Sequence, residues 1–265
     1  MGFLGPARAW GGAILACGLA WFAPESSRAG ALDLSGFAFG LAGYSAAPFG
    51  RPTSVVSGGG LRAKWLGVAR RIDDERVQLA LCDGDREHCA SDAALKLLAI
   101  VDEARARDGR ARLGEINRAI NLAIRPMSDL AQYGEIDVWN SPLVTLDRGA
   151  GDCEDYAIAK FVALRLAGIA ADDLRIVVMR DMIQGEDHAV AAARLDGQWL
   201  MLDNRRMAMV EDIHVRNYHP LFVIDESAVM AYSETPVLAR ESDHDPAPAA
   251  VANPGPLPSL IAAFD

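Results

Sequence analysis

The chain has 265 residues, 51% of them hydrophobic, with a net charge of −10 and a pI near 5.0. That suffices for one good-sized domain, or two small ones, with a buried core. The acidic balance argues against nucleic acid and against an anionic membrane surface as partners, and is compatible with a hard cation.

The N-terminus reads as an export signal. Arg8 precedes an apolar run from Ala9 to Ala23, and the small-residue segment "SSRAGA" follows it. The run falls short of the roughly 20 residues a membrane span needs, which favours a cleaved signal over a retained anchor. Cleavage is expected near Ala29 or Ala31, so residues 1–31 are assigned to a signal peptide. Cys17 lies inside the run, but apolar residues continue past it, unlike a lipidation site. Export leaves Cys82, Cys89 and Cys153. In an oxidising compartment Cys82 and Cys89 can close the polar loop "CDGDREHC", which leaves Cys153 as an odd thiol. Their spacing is a poor zinc pattern, since CxxC pairs are absent.

Residues 32–60, rich in Gly, Ala and Ser, read as loop, and 32–90 as an N-terminal lead-in. A domain is expected over 91–240. Ala94, Leu97, Leu98 and Val101 fall at helical spacing, with Ser91 or Asp92 as N-cap. Leu113, Ile116, Ile120 and Ala123 form a second stripe, stopped by Pro126. The mixed stretch Ser128 to Arg148 reads as a long loop crossing the site. A third helix is predicted from about Asp152, with Ala157, Phe161 and Leu164 on one face and Gly168 at its C′ position. The period then changes. Leu174 to Met179 reads as a buried strand, and His188 to Leu195 and Gln198 to Asp203 read as a hairpin about Asp196-Gly197. Helices followed by antiparallel strands define an α+β fold. Residues 241–265 form a Pro/Ala-rich tail, expected to be disordered. No internal repeat is present.

The hairpin register places a candidate site. With Asp196 and Gly197 as turn residues, Leu195 faces Gln198, Arg194 faces Trp199, and Val190 faces Asp203. His188 shares a face with Val190, so it lies diagonal to Asp203, roughly 7–8 Å away at the backbone and within side-chain reach. A one-residue slip would separate the pair. An imidazole oriented by a carboxylate suits a cysteine nucleophile, because it takes the thiol proton and stabilises the thiolate. Cys153 at a helix start gains further from the macrodipole, and backbone N–H groups there suit an oxyanion. Taken singly, a buried Cys, a strand His and a strand-end Asp are each more often structural. Together, in this order and on one hairpin face, they favour chemistry. His88, His214, His219 and His244 lack comparable context.

The motif "GAGDCEDYAIAK" (Gly149 to Lys160), "DHAV" (Asp187 to Val190) and "LDN" (Leu202 to Asn204), with Val138-Trp139 and Ser141 to Leu143, resembles the bacterial transglutaminase-like cysteine proteinases. The likeness runs from about Ile116 to Asp225 and is greatest to their LapG-type periplasmic branch. It implies a transglutaminase/papain-like fold, with Cys153 as nucleophile, His188 as base and Asp203 as orienter. It also implies a Ca²⁺ ion held by the acidic residues flanking the nucleophile, here Asp152 and Glu154, with Asp155 less firmly placed. Such an ion would offset the carboxylates that otherwise disfavour a thiolate. Alternatively Asp152 and Asp155 cap the helix and complement its dipole.

The resemblance further implies a periplasmic endopeptidase that releases a large surface adhesin by cleavage in a small-residue, Ala-containing segment. An inner-membrane cyclic-di-GMP receptor that sequesters the protease is the implied regulator. Two rivals share these residues. One is an acyltransferase of the same fold that cross-links proteins; the other is a non-enzymatic calcium-binding module with an inert Cys153.

Overall fold

The computed structural model describes residues 47–233; the export signal, the start of the lead-in and the Pro/Ala-rich tail lie outside them. Six α-helices are described: α1 (Gly60–Gly84), α2 (Asp92–Arg105), α3 (Gly109–Ala123), α4 (Asp129–Tyr133), α5 (Pro142–Arg148) and α6 (Cys153–Leu166). The strands are β1 (Thr53–Val55), β2 (Arg125–Pro126), β3 (Ala150–Gly151), β4 (Leu174–Asp181), β5 (Glu186–Leu195), β6 (Gln198–Leu202), β7 (Val210–Glu211), β8 (Tyr218–Ile224) and β9 (Val229–Tyr232). Seven of them form one antiparallel sheet in the order β1-β9-β8-β4-β5-β6-β7, and β2 and β3 pair in parallel. The α+β architecture is the one expected from the helix-then-strand order.

The helices pack on one face of the sheet. α6 is buried from Glu154 to Leu164, as befits a helix that is apolar on most sides and enclosed by other elements. Its Ile158, Phe161, Val162 and Leu164 share a core with Leu97, Leu98 and Val101 of α2, Leu113, Ile116 and Ile120 of α3, and Ala189, Ala191 and Ala193 of β5. The alternate residues of the sheet, among them Val177, Met179, Val190 and Trp199, form a smaller cluster on the opposite face with Ala47 and Tyr232. Ser91 caps α2, its Oγ accepting from the Ala94 N–H at 3.2 Å. Gly168, at φ +94°, follows α6 at the position read for it.

Two sequence expectations need correction. Residues 60–84, read within a loose lead-in, form the long helix α1. Its Trp65, Val68, Ile72, Leu79 and Cys82 join the core, but the intervening "RRIDDER" dilutes their periodicity. Residues 53–55 likewise pair with β9. The stretch 128–148, read as a long loop, contains α4 and α5. These helices span five and seven residues, too short for an apolar period to show. Their signals are in the termini instead. The Ser128 hydroxyl accepts from the Ala131 N–H, Pro142 opens α5, and Gly134 (φ +71°) and Gly149 (φ +62°) end the two helices in the left-handed region. Glu75 of α1 accepts from the Leu143 N–H at 3.1 Å and from the Ser141 hydroxyl, tying the start of α5 to α1.

Cys82 and Cys89 are joined by a disulfide, which links the end of α1 to the approach to α2. Cys153 is the free cysteine among the described residues.

Candidate active site

Cys153 is the first residue of α6, delivered there by the β3 pair Ala150-Gly151. Gly151 is required by close approach: a Cβ added there would lie 2.7 Å from the Cβ and 2.8 Å from the Oδ2 of Asp155. The Cys153 sulfur donates to Glu154 Oε2 at 3.1 Å, and the Ala189 backbone N–H lies close enough to favour its thiolate. Burial, with the Glu154 charge beside it, pushes the thiol far above its ordinary range. In these surroundings the sulfur rests as a thiol.

Ala189 follows His188 on β5, so that contact sets the sulfur beside the strand carrying the imidazole. The hairpin register is the one expected: Leu195 pairs with Gln198 and Arg194 with Trp199, ending at Ala191 with Leu202. Asp203 follows directly after that last pair. His188 Nε2 lies 2.9 Å from Asp203 Oδ1. The ring is 1% exposed, and its Nδ1 has no hydrogen-bond partner. Tyr218 of β8 stacks on the imidazole, with centroids 5.7 Å apart and planes at 27°. Asp203 Oδ1 also accepts from the Arg205 N–H at 2.9 Å. Burial would raise the Asp203 carboxyl. The His188 hydrogen bond and charge, the Arg205 N–H and the Lys160 charge outweigh it, and the group is held below its ordinary value. The imidazole therefore has one nitrogen fixed by a carboxylate and the other free.

Asp152 and Glu154 lie together as expected, and a third residue joins them. One oxygen from each of Asp129, Asp152 and Glu154 lies within 4.8 Å of the others. The Asp129 carboxylate also accepts from the Val138 N–H, but its Oδ1 and Asp152 Oδ1 are buried without a partner. Burial raises all three carboxyls above their ordinary values, helped at Asp152 by the Asp129 charge, at Glu154 by the Asp152 charge and at Asp129 by the Asp137 charge. Oxygens about 2.4 Å from one ion lie at most about 4.8 Å apart, so the donor set fits a hard cation such as Ca²⁺. Asp129 was missed by sequence reasoning. Its one local signal is its place in the first turn of α4, and nothing nearby in sequence points to Asp152.

Asp155 points elsewhere. It accepts from the Asn140 N–H at 3.0 Å and from the Asn140 side-chain amide, and burial pushes its carboxyl up to about 7. Asp152 occupies the N-cap position without a side-chain cap hydrogen bond, so that part of the capping alternative is corrected, while Asp155 lies in the first turn where a negative charge complements the dipole.

Cys153, His188, Asp152 and Glu154 line one open cleft of about 1140 Å³. Trp139, Ile136, Leu221 and Phe222 supply its apolar wall, and Lys64, Glu186, Asp187 and Arg205 its charged rim. The dimensions suit an extended peptide rather than a small enclosed substrate.

A thiol at a helix N-terminus, sharing a cleft with a carboxylate-held imidazole, defines the architecture of a cysteine hydrolase. The model of the family described as bacterial transglutaminase-like cysteine proteinases matches residues 77–228, and the chain belongs to that family; it is a cysteine protease. Among solved structures it is similar in fold to Legionella pneumophila LapG. The calcium-bound form is 19% identical, covering 60% of this chain and 92% of that one with a TM-score of 0.50. The EGTA-treated form is 20% identical, covering 62% and 87%, also at 0.50. No curated protein matches the chain. The fold is thus the transglutaminase-like α+β fold that the motif residues implied.

Proposed function

We propose that this protease is a calcium-dependent endopeptidase in which Cys153 is the nucleophile, His188 the base and Asp203 the orienting carboxylate. One observation carries the reading: His188 Nε2 is taken by Asp203, while Nδ1 is buried and unpartnered beside the strand residue that touches the Cys153 sulfur. The thiol proton passes to Nδ1 as the sulfur attacks the scissile carbonyl. The tetrahedral oxyanion would be met by backbone N–H groups at the α6 terminus. On its collapse the C–N bond breaks, and the imidazolium proton leaves with the amine. Water, deprotonated by His188, then cleaves the thioester and frees the thiol.

Asp129, Asp152 and Glu154 would hold the Ca²⁺ ion. Its bound charge would offset the carboxylates around Cys153, making the thiolate more accessible. The calcium-bound and EGTA-treated forms of the LapG relative support this choice of metal. The reading at residues 1–31 supports export to the periplasm. The family motifs support a protein substrate of the large-adhesin type, cut in a small-residue segment, and control by a cyclic-di-GMP receptor in the inner membrane.

The test compares released and cell-bound proteins from cells carrying wild-type or Cys153→Ala protein, with and without chelator. A large surface protein should be clipped and released only with the wild type and calcium. Identical protein patterns in all four conditions would refute the proposal. Purified Cys153→Ala should fold normally and lose at least three orders of magnitude in turnover.

A further inference from the structure

α6 carries a second polar residue that the reaction scheme above does not use. Lys160 lies seven residues after Cys153, two helical turns along the same face. It is 0% exposed, one of the largest fully buried side chains. Its ammonium donates to the Leu202 carbonyl at 3.0 Å and stands 5.8 Å from the centre of the Tyr156 ring. Leu202 ends β6, and its carbonyl belongs to the peptide group that leads into Asp203. The Lys160 charge acts on the Asp203 carboxylate, and the effect is mutual.

A buried ammonium with one hydrogen-bond acceptor is a poor stabilising device. Burial pushes Lys160 down to about 7, with the Asp203 charge opposing that fall. An apolar side chain of similar length commonly does as well or better at such a position. The other contacts to Asp203 come from outside α6. Arg205 and His188 reach its Oδ1, and Asn121 of α3 donates to its carbonyl at 3.1 Å. Lys160 is therefore the side chain that connects the helix bearing the thiol to the strand end bearing the carboxylate.

We propose that Lys160 is a positioning residue of the catalytic machinery: it locks the Leu202–Asp203 peptide to the nucleophile helix and so holds the Asp203 carboxylate aimed at His188 Nε2. The inference rests on the Cys153–His188–Asp203 reading. It gives the buried lysine of the "DCEDYAIAK" segment a task that packing alone does not require.

The test uses the full chain in saturating calcium, with iodoacetamide as the probe and mass mapping of the peptide that contains Cys153. Lys160→Met keeps the length of the side chain and removes its charge and N–H groups. Alkylation of Cys153 should slow at least tenfold while the unfolding midpoint stays within a few degrees of wild type. The downfield Nε2–H proton of His188, followed by NMR, should broaden or shift. Alkylation within twofold of wild type in folded Lys160→Met would overturn the inference. If Asp203→Asn is slow while Lys160→Met is not, the inference fails and the triad reading stands. If both react like wild type, the triad reading fails as well.

A second arm decides the matter if Lys160→Met does not fold. The ¹⁵N titration of the Lys160 amine is compared in wild type and Asp203→Asn. Loss of the carboxylate charge should lower the midpoint of Lys160; an unchanged midpoint would show the two groups uncoupled and overturn the inference.

Discussion

Asp129→Asn separates a cation site from a capping cluster, because the two readings predict opposite signs. Asn retains an oxygen that can accept from the Val138 N–H, so the loop before α5 keeps its anchor. One of three mutually repelling carboxylates disappears. An ionised pair 4.8 Å apart repels by about 3.5 kcal/mol at an effective dielectric of 20. Protons already relieve part of this, since all three groups are raised. The calcium-free variant should therefore be about 1–2 kcal/mol more stable than wild type near neutral pH. With calcium the order reverses. Losing one charged ligand should weaken binding about 100-fold, which removes about 2.7 kcal/mol of calcium stabilisation at a fixed calcium concentration. For a domain of this size that is about 5–10 °C in unfolding midpoint. The assay is thermal unfolding across a calcium titration, with and without EGTA. A full calcium response in Asp129→Asn would remove Asp129 from the site. A calcium-free variant less stable than wild type would show that the carboxylate serves the loop rather than a cation.

Chelated protein should lose stability as pH rises from about 5 to 7, below the range in which the depressed Lys160 begins to act in the opposite sense. Unfolded carboxyls release their protons near pH 4, whereas the folded groups are raised, Asp155 to about 7. The native state therefore binds more protons through that window, and melting curves in EGTA should slope downward; a flat profile would refute the shifts. Saturating calcium should flatten the slope, because the ligands of a bound ion are already deprotonated. Gly151→Ala should cost about 1–3 kcal/mol in a denaturant titration, since the added methyl meets the Cβ of Asp155 and displaces the α6 terminus. Its turnover should fall with its stability. Replacing both Cys82 and Cys89 with serine should cost about 2.5 kcal/mol by the loop-closure relation for a ring of this size. Catalysis should be unchanged there, as the bridge lies between α1 and α2, away from the cleft.

Local signals in the chain determined the hairpin, and with it the His188–Asp203 pair. A two-residue Asp-Gly turn sets register over the few residues that follow, and alternation sets the face. The apolar stripes of α2 and α3, the start of α6 at the thiol and the α+β class were legible for the same reason, since helical and strand periods are near-neighbour properties. The motif around Cys153 also carried its family. Three features were decided by tertiary structure. α1 joins the core because α2 and Phe161 of α6 meet its sparse apolar face, which its own charged sequence obscures. Asp129 meets Asp152 and Glu154 because α4 folds back against the start of α6, across 22 intervening positions that carry no periodic signal. Three adjacent acidic residues, Asp152, Glu154 and Asp155, look alike in sequence. A helix turns each by about 100°, so Glu154 faces the cleft while Asp155 faces Asn140. The same rotation brings Lys160 beneath Asp203, where long-range packing of α6 on the sheet, rather than any local pattern, gives a buried charge its partner.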